Sequence, residues 1–213
     1  MTGRVVVVDY GIGNLLSVTR ALAHVGAEVV QSSQVARIEN ADRLVLPGVG
    51  AFANGMAELA ARRLVEPIKR FAEKARPFLG ICLGMQMMLD QSEEFGRSSG
   101  LGLVPGRVVP VPPSGADGAA HKIPYIGWNR LRAAGANGWD GTILAGLPDD
   151  ACGYFVHSFM AAPKSPRHRL ADCDYDGRTV AATIARGSLY GCQFHPEKSG
   201  PVGLRILANF VGL

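Results

Sequence analysis

Residues 78–86, FLGICLGMQ, decide the fold of this 213-residue chain. An apolar run ends at Ile81, a G-x-C-x-G turn surrounds Cys82, and a helical pattern follows over 84–89. This order is the cysteine form of the nucleophile elbow, a strand-to-helix turn so tight that the residues two before and two after the nucleophile must lack bulky side chains. The stretch therefore predicts a strand–turn–helix unit of an α/β protein.

The same alternation of strands and helices extends towards the N-terminus. Short apolar runs typical of strands buried on both faces occur at 4–9, 27–30 and 43–46. Helical spacing of apolar residues predicts a helix at 15–25, ended by Gly26, and another at 56–74, broken near Pro67. Such alternation indicates a parallel sheet covered by helices.

The second half of the chain has a different pattern. Strands are predicted at 101–111, 123–131, 154–160 and 189–194. Asp176-Gly177 predicts a hairpin turn, and Ser199 or Gly200 caps a last helix. We therefore expect one α/β domain over residues 1–213, with a mixed, mostly parallel central sheet flanked by helices.

Composition excludes several classes of protein. No apolar run reaches the ~18–20 residues of a membrane-spanning helix, and the first residues do not read as a secretory signal. The 22 Lys and Arg minus the 18 Asp and Glu give +4, without the basic stripe of a nucleic-acid-binding protein. The four cysteines form no C-x-x-C pair, so a disulfide scaffold is not expected and the cytoplasm is the default location.

The position of Cys82 favours a role as a nucleophile. The N–H groups at the start of a helix favour a thiolate, which matters because only a few per cent of an ordinary thiol, with a pKa of about 8.5, is ionised at pH 7. The alternative is a small buried hydrophobic residue, but the flanking Gly80 and Gly84 favour the nucleophile. Burial in the core is the default for the other cysteines, whose roles stay open: Cys152, Cys173 and Cys192.

A cysteine nucleophile needs a base, and His195 is the best candidate among the five histidines. It ends a predicted strand, and Glu197 follows two residues later, on the same side of an extended chain that Pro196 restricts. A carboxylate there can accept from one ring nitrogen and leave the other facing the thiol, as in a Cys–His–acid triad. A surface loop is the alternative for these three residues taken alone. His157 lies in a predicted strand and is either structural or part of a pocket wall.

An acyl-transfer site also needs donors for an oxyanion. The first is expected at the backbone N–H of Leu83, directly after the nucleophile. The second is expected in the 47–50 loop, Pro-Gly-Val-Gly, because glycines let a backbone approach a substrate closely. An ordinary turn is the alternative for this loop.

No metal or cofactor is expected. Cys192 and His195 are three residues apart, but there is no second pair at metal-ligand spacing. The Gly-Ile-Gly turn at 11–13 lacks the third glycine of a dinucleotide-binding motif, and no G-x-x-x-x-G-K-[ST] phosphate loop occurs.

Together these residues resemble the class I, or triad, glutamine amidotransferases. The resemblance rests on G-I-C-L-G-M-Q at 80–86 and Q-F-H-P-E at 193–197, and it covers essentially the whole chain. Within that family, five segments are similar to the glutaminase subunits of imidazole glycerol phosphate synthases, from histidine biosynthesis: DYGIGN at 9–14, PGVGAF at 47–52, IGWN at 126–129, YFVHS at 154–158 and HPEKS at 195–199.

The resemblance implies an enzyme that hydrolyses glutamine to glutamate and ammonia. Cys82 forms a γ-glutamyl thioester, His195 transfers the protons, and Glu197 orients His195. The oxyanion hole is assigned to Leu83, Val49 and Gly50. The glutamine-binding residues are assigned to Gln86, Glu94, Ser158 and Phe159, where Phe159 replaces a tyrosine that the family often has.

The resemblance also implies a heterodimer with a cyclase subunit that has a (β/α)8 barrel. That partner takes the ammonia and makes imidazole glycerol phosphate and an aminoimidazole carboxamide ribotide. Neither nucleic acid nor a membrane is expected as a partner. Because its glycines allow a peptide flip, the 47–50 loop is expected to become productive only when the partner has bound its substrate. The residues expected to face the partner are Asn14, Trp128, Tyr154 and Lys198.

Other interpretations stay open at this point. A subunit of another amidotransferase, in pyridoxal phosphate or anthranilate synthesis, shares the triad but not the PGVGAF, GWN and YFVHS segments. A non-enzymatic module of the same fold would usually lack Cys82, His195 or Glu197, and all three are present. A stand-alone cysteine hydrolase would not need the subunit-specific segments.

Overall fold

The computed structural model describes residues 4–135 and 138–213. Its strands are β1 Arg4–Val8, β2 Glu28–Ser32, β3 Arg43–Leu46, β4 Phe78–Ile81, β5 Leu89–Ser92, β6 Ser98–Ser99, β7 Val104–Pro110, β8 Tyr125–Arg130, β9 Arg132–Ala133, β10 Cys152–His157, β11 Phe159–Pro163, β12 Arg169–Tyr175, β13 Arg178–Arg186 and β14 Leu189–Cys192. Its α-helices are α1 Leu15–His24, α2 Val35–Glu39, α3 Phe52–Ala61, α4 Val65–Glu73, α5 Leu83–Met87 and α6 Gly200–Gly212.

The central sheet has eight strands in the order β2-β1-β3-β4-β14-β13-β12-β9. The pairs from β2 to β14 are parallel, and those from β14 to β9 are antiparallel. Asp176 and Gly177 join β12 to β13 with positive φ at both positions, as the predicted hairpin turn requires. The predicted mixed, mostly parallel sheet is thus confirmed.

Alternate residues of β1 belong to two separate cores. Val6 and Val8 pack with the buried side chains of α3 and α4, whereas Val5 and Val7 pack with those of α1 and α6. All four valines are buried, so the strand has no polar face, as expected when helices cover both sides of a parallel sheet. No described helix is both long enough and apolar enough to cross a membrane.

The predicted helix at 56–74 is two helices, and its break was placed wrongly. The break lies between α3 and α4, where Arg63 has a φ of +56°. Pro67 is the third residue of α4. A proline is tolerated in the first turn of a helix because its missing N–H would have no partner within the helix.

The predicted helix at 84–89 is also shorter than expected, because α5 ends at Met87. The N–H groups of Leu101 and Leu103 donate to the carbonyls of Met87 and Met88, at 2.8 Å each. These long-range bonds replace the next helical ones and direct the chain into β5. That strand belongs to a second sheet, with the order β11-β7-β5-β6.

The predicted strand at 154–160 is divided at Ser158 between two sheets. Its first part is β10, which pairs with β8, and its second part is β11, which pairs with β7. The division matters for the site because the chain turns at this point over the carboxyl ends of the central strands. The 47–50 loop, Cys82 and the segment to His195 follow β3, β4 and β14 at this edge, which is where α/β sheets bind ligands.

Candidate active site

Cys82 stands in a strained turn between β4 and α5. Its φ of +51° lies in the left-handed region, which typically costs a residue with a side chain ~1–3 kcal/mol. Its N–H donates to the Cys192 carbonyl of β14 at 2.7 Å. A Cβ on Gly84 would lie 1.8 Å from the Leu46 carbonyl oxygen, and one on Gly80 would lie 2.7 Å from the Met85 nitrogen. Both glycines are therefore required by steric contact, as the sequence predicted.

The imidazole of His195 is held against a buried carboxylate. Its Nδ1 lies 2.8 Å from Oε1 of Glu197, in the 3₁₀ turn Pro196–Lys198, and the two side chains are 5% and 1% exposed. Its backbone N–H donates to the Tyr154 carbonyl at 2.9 Å. The Ser199 hydroxyl donates to the His195 carbonyl at 2.7 Å and accepts from the Tyr154 N–H at 2.9 Å. The predicted base and its orienting acid are therefore fixed to each other and to β10.

The charged form of His195 is favoured despite its burial. Burial acts to lower the pKa, but the neighbouring Cys82 and Glu197 outweigh it and raise the pKa of His195 to about 9. The second ring nitrogen, Nε2, is buried and has no hydrogen-bond partner among the described residues. Cys82 thus raises the pKa of the imidazole without an aligned hydrogen bond to its Nε2 in this structure.

One cavity of about 440 Å³ contains Cys82 and His195. Glu197 lies behind His195 and does not line it. The cavity is also lined by every residue that the sequence analysis assigned to the oxyanion or to glutamine, namely Leu83, Val49, Gly50, Gln86, Glu94, Ser158 and Phe159. A cavity of this volume can hold a small amide, and a cysteine and an imidazole in one cavity are the nucleophile and base that acyl transfer requires.

The 47–50 loop is anchored at its start and exposed at its end. The buried Tyr10 hydroxyl donates to the Pro47 carbonyl at 2.8 Å, and a Cβ on Gly48 would lie 2.4 Å from that hydroxyl. The N–H of Leu83 donates to the Gly48 carbonyl at 3.3 Å. The expected oxyanion donor is therefore engaged by the loop itself. Val49 and Gly50 are exposed, and Gly50 has a φ of +93°.

The carbonyl of Phe159 organises another part of the cavity wall. It accepts from Nε2 of Gln86 and from Nδ1 of His157, at 2.9 Å each. Gln86 Nε2 also donates to Oε1 of Gln193 at 3.1 Å. The carboxylate of Glu94 accepts from the N–H of Phe52, the first residue of α3, at 2.6 Å.

His157 is a wall residue with a charge state opposite to that of His195. Burial lowers the pKa of His157 to about 4, helped by the neighbouring His195 and opposed by the bond to the Phe159 carbonyl. It is therefore neutral at pH 7, with its proton on Nδ1 and an acceptor lone pair on Nε2. Of the two interpretations that the sequence left open, the wall position is the one observed.

Gln193 is the site residue that sequence reasoning missed. It belongs to the quoted Q-F-H-P-E motif, yet a glutamine in an apolar strand end carries no local signal of function. It is fully buried, and its Nε2 lies 3.7 Å from the Cys82 sulfur.

The residues expected to face a partner do not line the cavity. Asn14 and Lys198 are exposed, and the Asn14 side chain caps α1 through the N–H of Ser17 at 3.2 Å. Trp128 is 57% exposed and packs edge-on against the half-buried ring of Tyr154, with centroids 5.9 Å apart. Trp128 and Tyr154 are therefore in contact with each other.

Comparisons with known proteins agree with this geometry. The family model described as glutamine amidotransferase class-I matches residues 6–212. A protein of Legionella pneumophila (strain Lens), "Imidazole glycerol phosphate synthase subunit HisH 1", is 55% identical over 96% of this chain and 97% of its own. A "subunit HisH" of the same synthase from Synechococcus sp. (strain JA-3-3Ab) is 46% identical over 98% and 93%. The structure of PurLQS from Thermotoga maritima has the same fold, with a TM-score of 0.74, 18% identity and coverage of 100% and 99%.

Proposed function

The chain belongs to the class-I glutamine amidotransferase family, and we propose that residues 1–213 form the glutaminase subunit of an imidazole glycerol phosphate synthase, which acts in histidine biosynthesis. One observation carries the chemistry: a cysteine in a strained elbow shares a cavity with an imidazole whose other nitrogen is bound to a buried carboxylate. The 45–55% identity to synthase subunits supports the assignment to this pathway rather than to another amidotransferase.

The first half of the reaction makes a thioester. The Cys82 sulfur attacks the side-chain carbonyl carbon of glutamine, and the oxyanion accepts from the N–H of Leu83 and from a donor at Val49 or Gly50. Collapse breaks the C–N bond, and His195 gives its proton to the departing nitrogen, which leaves as ammonia. The raised pKa of His195 supports this step because the imidazole carries the required proton at neutral pH.

The second half releases glutamate. Neutral His195 takes a proton from water while the water oxygen attacks the thioester carbon. The C–S bond then breaks, and glutamic acid and the Cys82 thiolate form beside a reprotonated His195. Glu197 keeps the imidazole oriented through both halves, because its carboxylate accepts from Nδ1 throughout.

The part of the cavity wall formed by Gln86, Ser158 and Phe159 supports binding of the amino-acid end of glutamine. Both N–H groups of Gln86 are used, one by the Phe159 carbonyl and one by Gln193. Its oxygen is therefore the atom left for the substrate, and it suits the α-ammonium group. The Ser158 and Phe159 backbone lines the same cavity, so replacing a tyrosine by phenylalanine at position 159 leaves a backbone contact intact.

The partner in this proposal is a cyclase subunit with a (β/α)8 barrel, which receives the ammonia in a heterodimer. Exposed aromatic surface at Trp128 and Tyr154 supports a docking face there, and the Tyr154 backbone is bonded directly to the base. Binding of the partner and its nucleotide is proposed to turn the Gly48 carbonyl away from the N–H of Leu83. A cytoplasmic location, which the cysteine pattern predicts, is part of the same proposal.

Lys198 tests this docking face. It is exposed and follows Glu197 directly, so Lys198→Ala is expected to reduce the stimulation of glutamine hydrolysis by the partner about tenfold, with the melting temperature unchanged. Lys164→Ala, at an exposed position that does not line the cavity of Cys82, is the control. Stimulation equal to that of the wild type would remove Lys198 from the interface.

The decisive experiment measures glutamate release from glutamine by the pure chain, alone and with a cyclase subunit and its phosphoribulosyl nucleotide substrate. Cys82→Ala is the control. We expect stimulation by partner and nucleotide together that is absent in the variant. High activity that ignores the cyclase would keep the triad chemistry but assign it to another pathway, and no activity under any condition would overturn the proposal.

A further inference from the structure

The geometry points to Gln193 as a further catalytic residue, whose side-chain N–H donates to the Cys82 thiolate. Gln193 follows β14 directly, two residues before His195, and its backbone N–H donates to the Ala182 carbonyl at 2.9 Å. Its side chain is fully buried, with Nε2 3.7 Å from the sulfur. The inference rests on the proposed function, because it assumes that this sulfur is the nucleophile.

The orientation of the Gln193 amide follows from the Phe159 carbonyl, to which it is connected through the side chain of Gln86. The Phe159 oxygen can only accept, so the Gln86 atom that faces it must be the nitrogen. That nitrogen also faces Gln193, so the Gln193 atom opposite it must be the oxygen. The remaining amide atom, a donor, therefore faces Cys82. The Phe159 carbonyl and the Gln86 side chain thus determine which end of Gln193 meets the sulfur.

A donor at this position makes a contact that His195 does not make in this structure. His195 is protonated whenever the sulfur is a thiolate, but its Nε2 has no hydrogen-bond partner among the described residues, whereas Nε2 of Gln193 faces the sulfur. An amide keeps its hydrogens at every pH at which the enzyme works. Gln193 can therefore stabilise the thiolate both before attack and when the sulfur leaves the thioester, because hydrogen bonds to charged groups are the strong ones.

Other groups that face the sulfur have different chemistry. Tyr10, after β1, is buried, and burial together with the charge of Cys82 raises its pKa, so it stays neutral; its hydroxyl is used by Pro47. Glu94 and His157 line the same cavity, but one is an acid already bound to Phe52 and the other is neutral. Among these groups Gln193 alone offers a fixed, uncharged donor to the sulfur.

The test is the reactivity of Cys82 in Gln193→Met, which keeps the volume and removes the amide. Iodoacetamide alkylation of the peptide that contains Cys82 is followed by mass spectrometry against pH in the full chain. We expect alkylation at pH 7 to be about tenfold slower than in the wild type and the alkylation profile to move to higher pH. In the complex with the cyclase subunit, kcat for glutamine should fall about tenfold or more, with KM within about threefold.

Gln34→Met, at an exposed position whose side chain makes no helix cap, is the matched control. A Gln193→Met protein that folds, loses activity and keeps the wild-type alkylation profile would reduce Gln193 to a packing role. A shifted profile in a chain whose wild type does not hydrolyse glutamine would instead overturn the proposed function and leave the thiolate contact standing.

A second measurement needs no substitution at Gln193. In the full chain labelled with ¹⁵N-glutamine, the side-chain amide resonance of Gln193 should shift over the pH range in which Cys82 becomes alkylatable. The same resonance should not shift over that range in Cys82→Ala. If the Gln193 amide resonance of the wild type did not shift over that pH range, the inference would be overturned even if Gln193→Met failed to fold.

Discussion

Two buried histidines line the same cavity and have opposite charge states. His195, after β14, has a pKa raised to about 9, whereas His157, at the end of β10, has a pKa lowered to about 4. Their exposed fractions are similar, 4% and 6%. Each binds an acceptor through Nδ1, but the acceptor is the Glu197 carboxylate in one case and the Phe159 carbonyl in the other.

The difference shows that burial alone does not set the role of a histidine. Burial disfavours the imidazolium in both cases, and at His195 the neighbouring Cys82 and Glu197 reverse its effect on the pKa. The neutral carbonyl merely orients His157, so that residue presents an acceptor to the cavity. We therefore expect the two residues to divide the work, with His195 moving protons and Nε2 of His157 accepting from an N–H group of the substrate.

The largest effect is expected from Glu197→Gln, which gives Nδ1 of His195 a neutral partner like that of His157. The pKa of His195 should fall from about 9, and kcat should fall about 10³–10⁴-fold because the imidazolium loses its stabilising charge. We expect the activity of the wild type to be lost as pH rises through about 9, and the residual activity of the variant to decline at lower pH. The measurement is kcat against pH in the complex.

Glu73→Gln, at an exposed position, is the control for this loss. If kcat of Glu197→Gln fell on the alkaline side at the same pH as kcat of the wild type, Glu197 would not set the protonation of His195.

A smaller effect is expected from His157→Asn, which keeps a donor for the Phe159 carbonyl but removes the Nε2 acceptor. That nitrogen is buried without a partner in the described part of the chain. Loss of one hydrogen bond to glutamine should raise KM about tenfold and leave kcat within about threefold. Steady-state kinetics with His24→Asn as the exposed control checks this, and a fall in kcat alone would place His157 in proton transfer.

The smallest effect concerns the stability of the fold. The pKa of His195 exceeds its unfolded value of about 6.5, so its stabilisation is complete below pH 6.5 and is lost as pH rises to about 9. The pKa of His157 lies below 6.5, so it destabilises the fold as pH falls from 6.5 to about 4. His157→Asn should therefore melt a few degrees higher than the wild type at pH 4.5, relative to their difference at pH 7.

Thermal unfolding followed by circular dichroism measures this relative shift. A difference between His157→Asn and wild type that does not change with pH would contradict the neutral assignment of His157.

The features that sequence could predict are those that short-range geometry controls. Gly80, Cys82 and Gly84 form the elbow because their own backbone requires it, and the neighbouring Leu46 carbonyl leaves no room for a Cβ. The buried strands are recognisable as apolar runs in the sequence. The carboxyl ends of parallel strands meet at one edge of the sheet. The fold class and the common edge of the 47–50 loop, Cys82 and His195 follow from that, whereas the glutamine-binding residues were assigned from the resemblance: Gln86, Glu94, Ser158 and Phe159.

What sequence could not predict depends on contacts between distant segments. The end of α5 at Met87 is set by hydrogen bonds from Leu101 and Leu103, since methionine and leucine continue a helix equally well. The break before α4 was attributed to Pro67 because the tolerance of proline in a first turn depends on where the helix begins. Gln193 is 107 residues from Gln86 and 111 from Cys82, so no local pattern connects them.

In the proposed mechanism, the bond from the N–H of Leu83 to the Gly48 carbonyl makes the resting protein its own intramolecular inhibitor. The Gly48 carbonyl is tethered beside the site, so its effective concentration is set by the chain and an excess of glutamine cannot displace it. It competes with the oxyanion rather than with glutamine itself. At 3.3 Å the bond is longer than most N–H···O bonds, and the competitor is accordingly weak. An activator that turned this carbonyl away would therefore raise kcat while leaving the apparent affinity for glutamine almost unchanged.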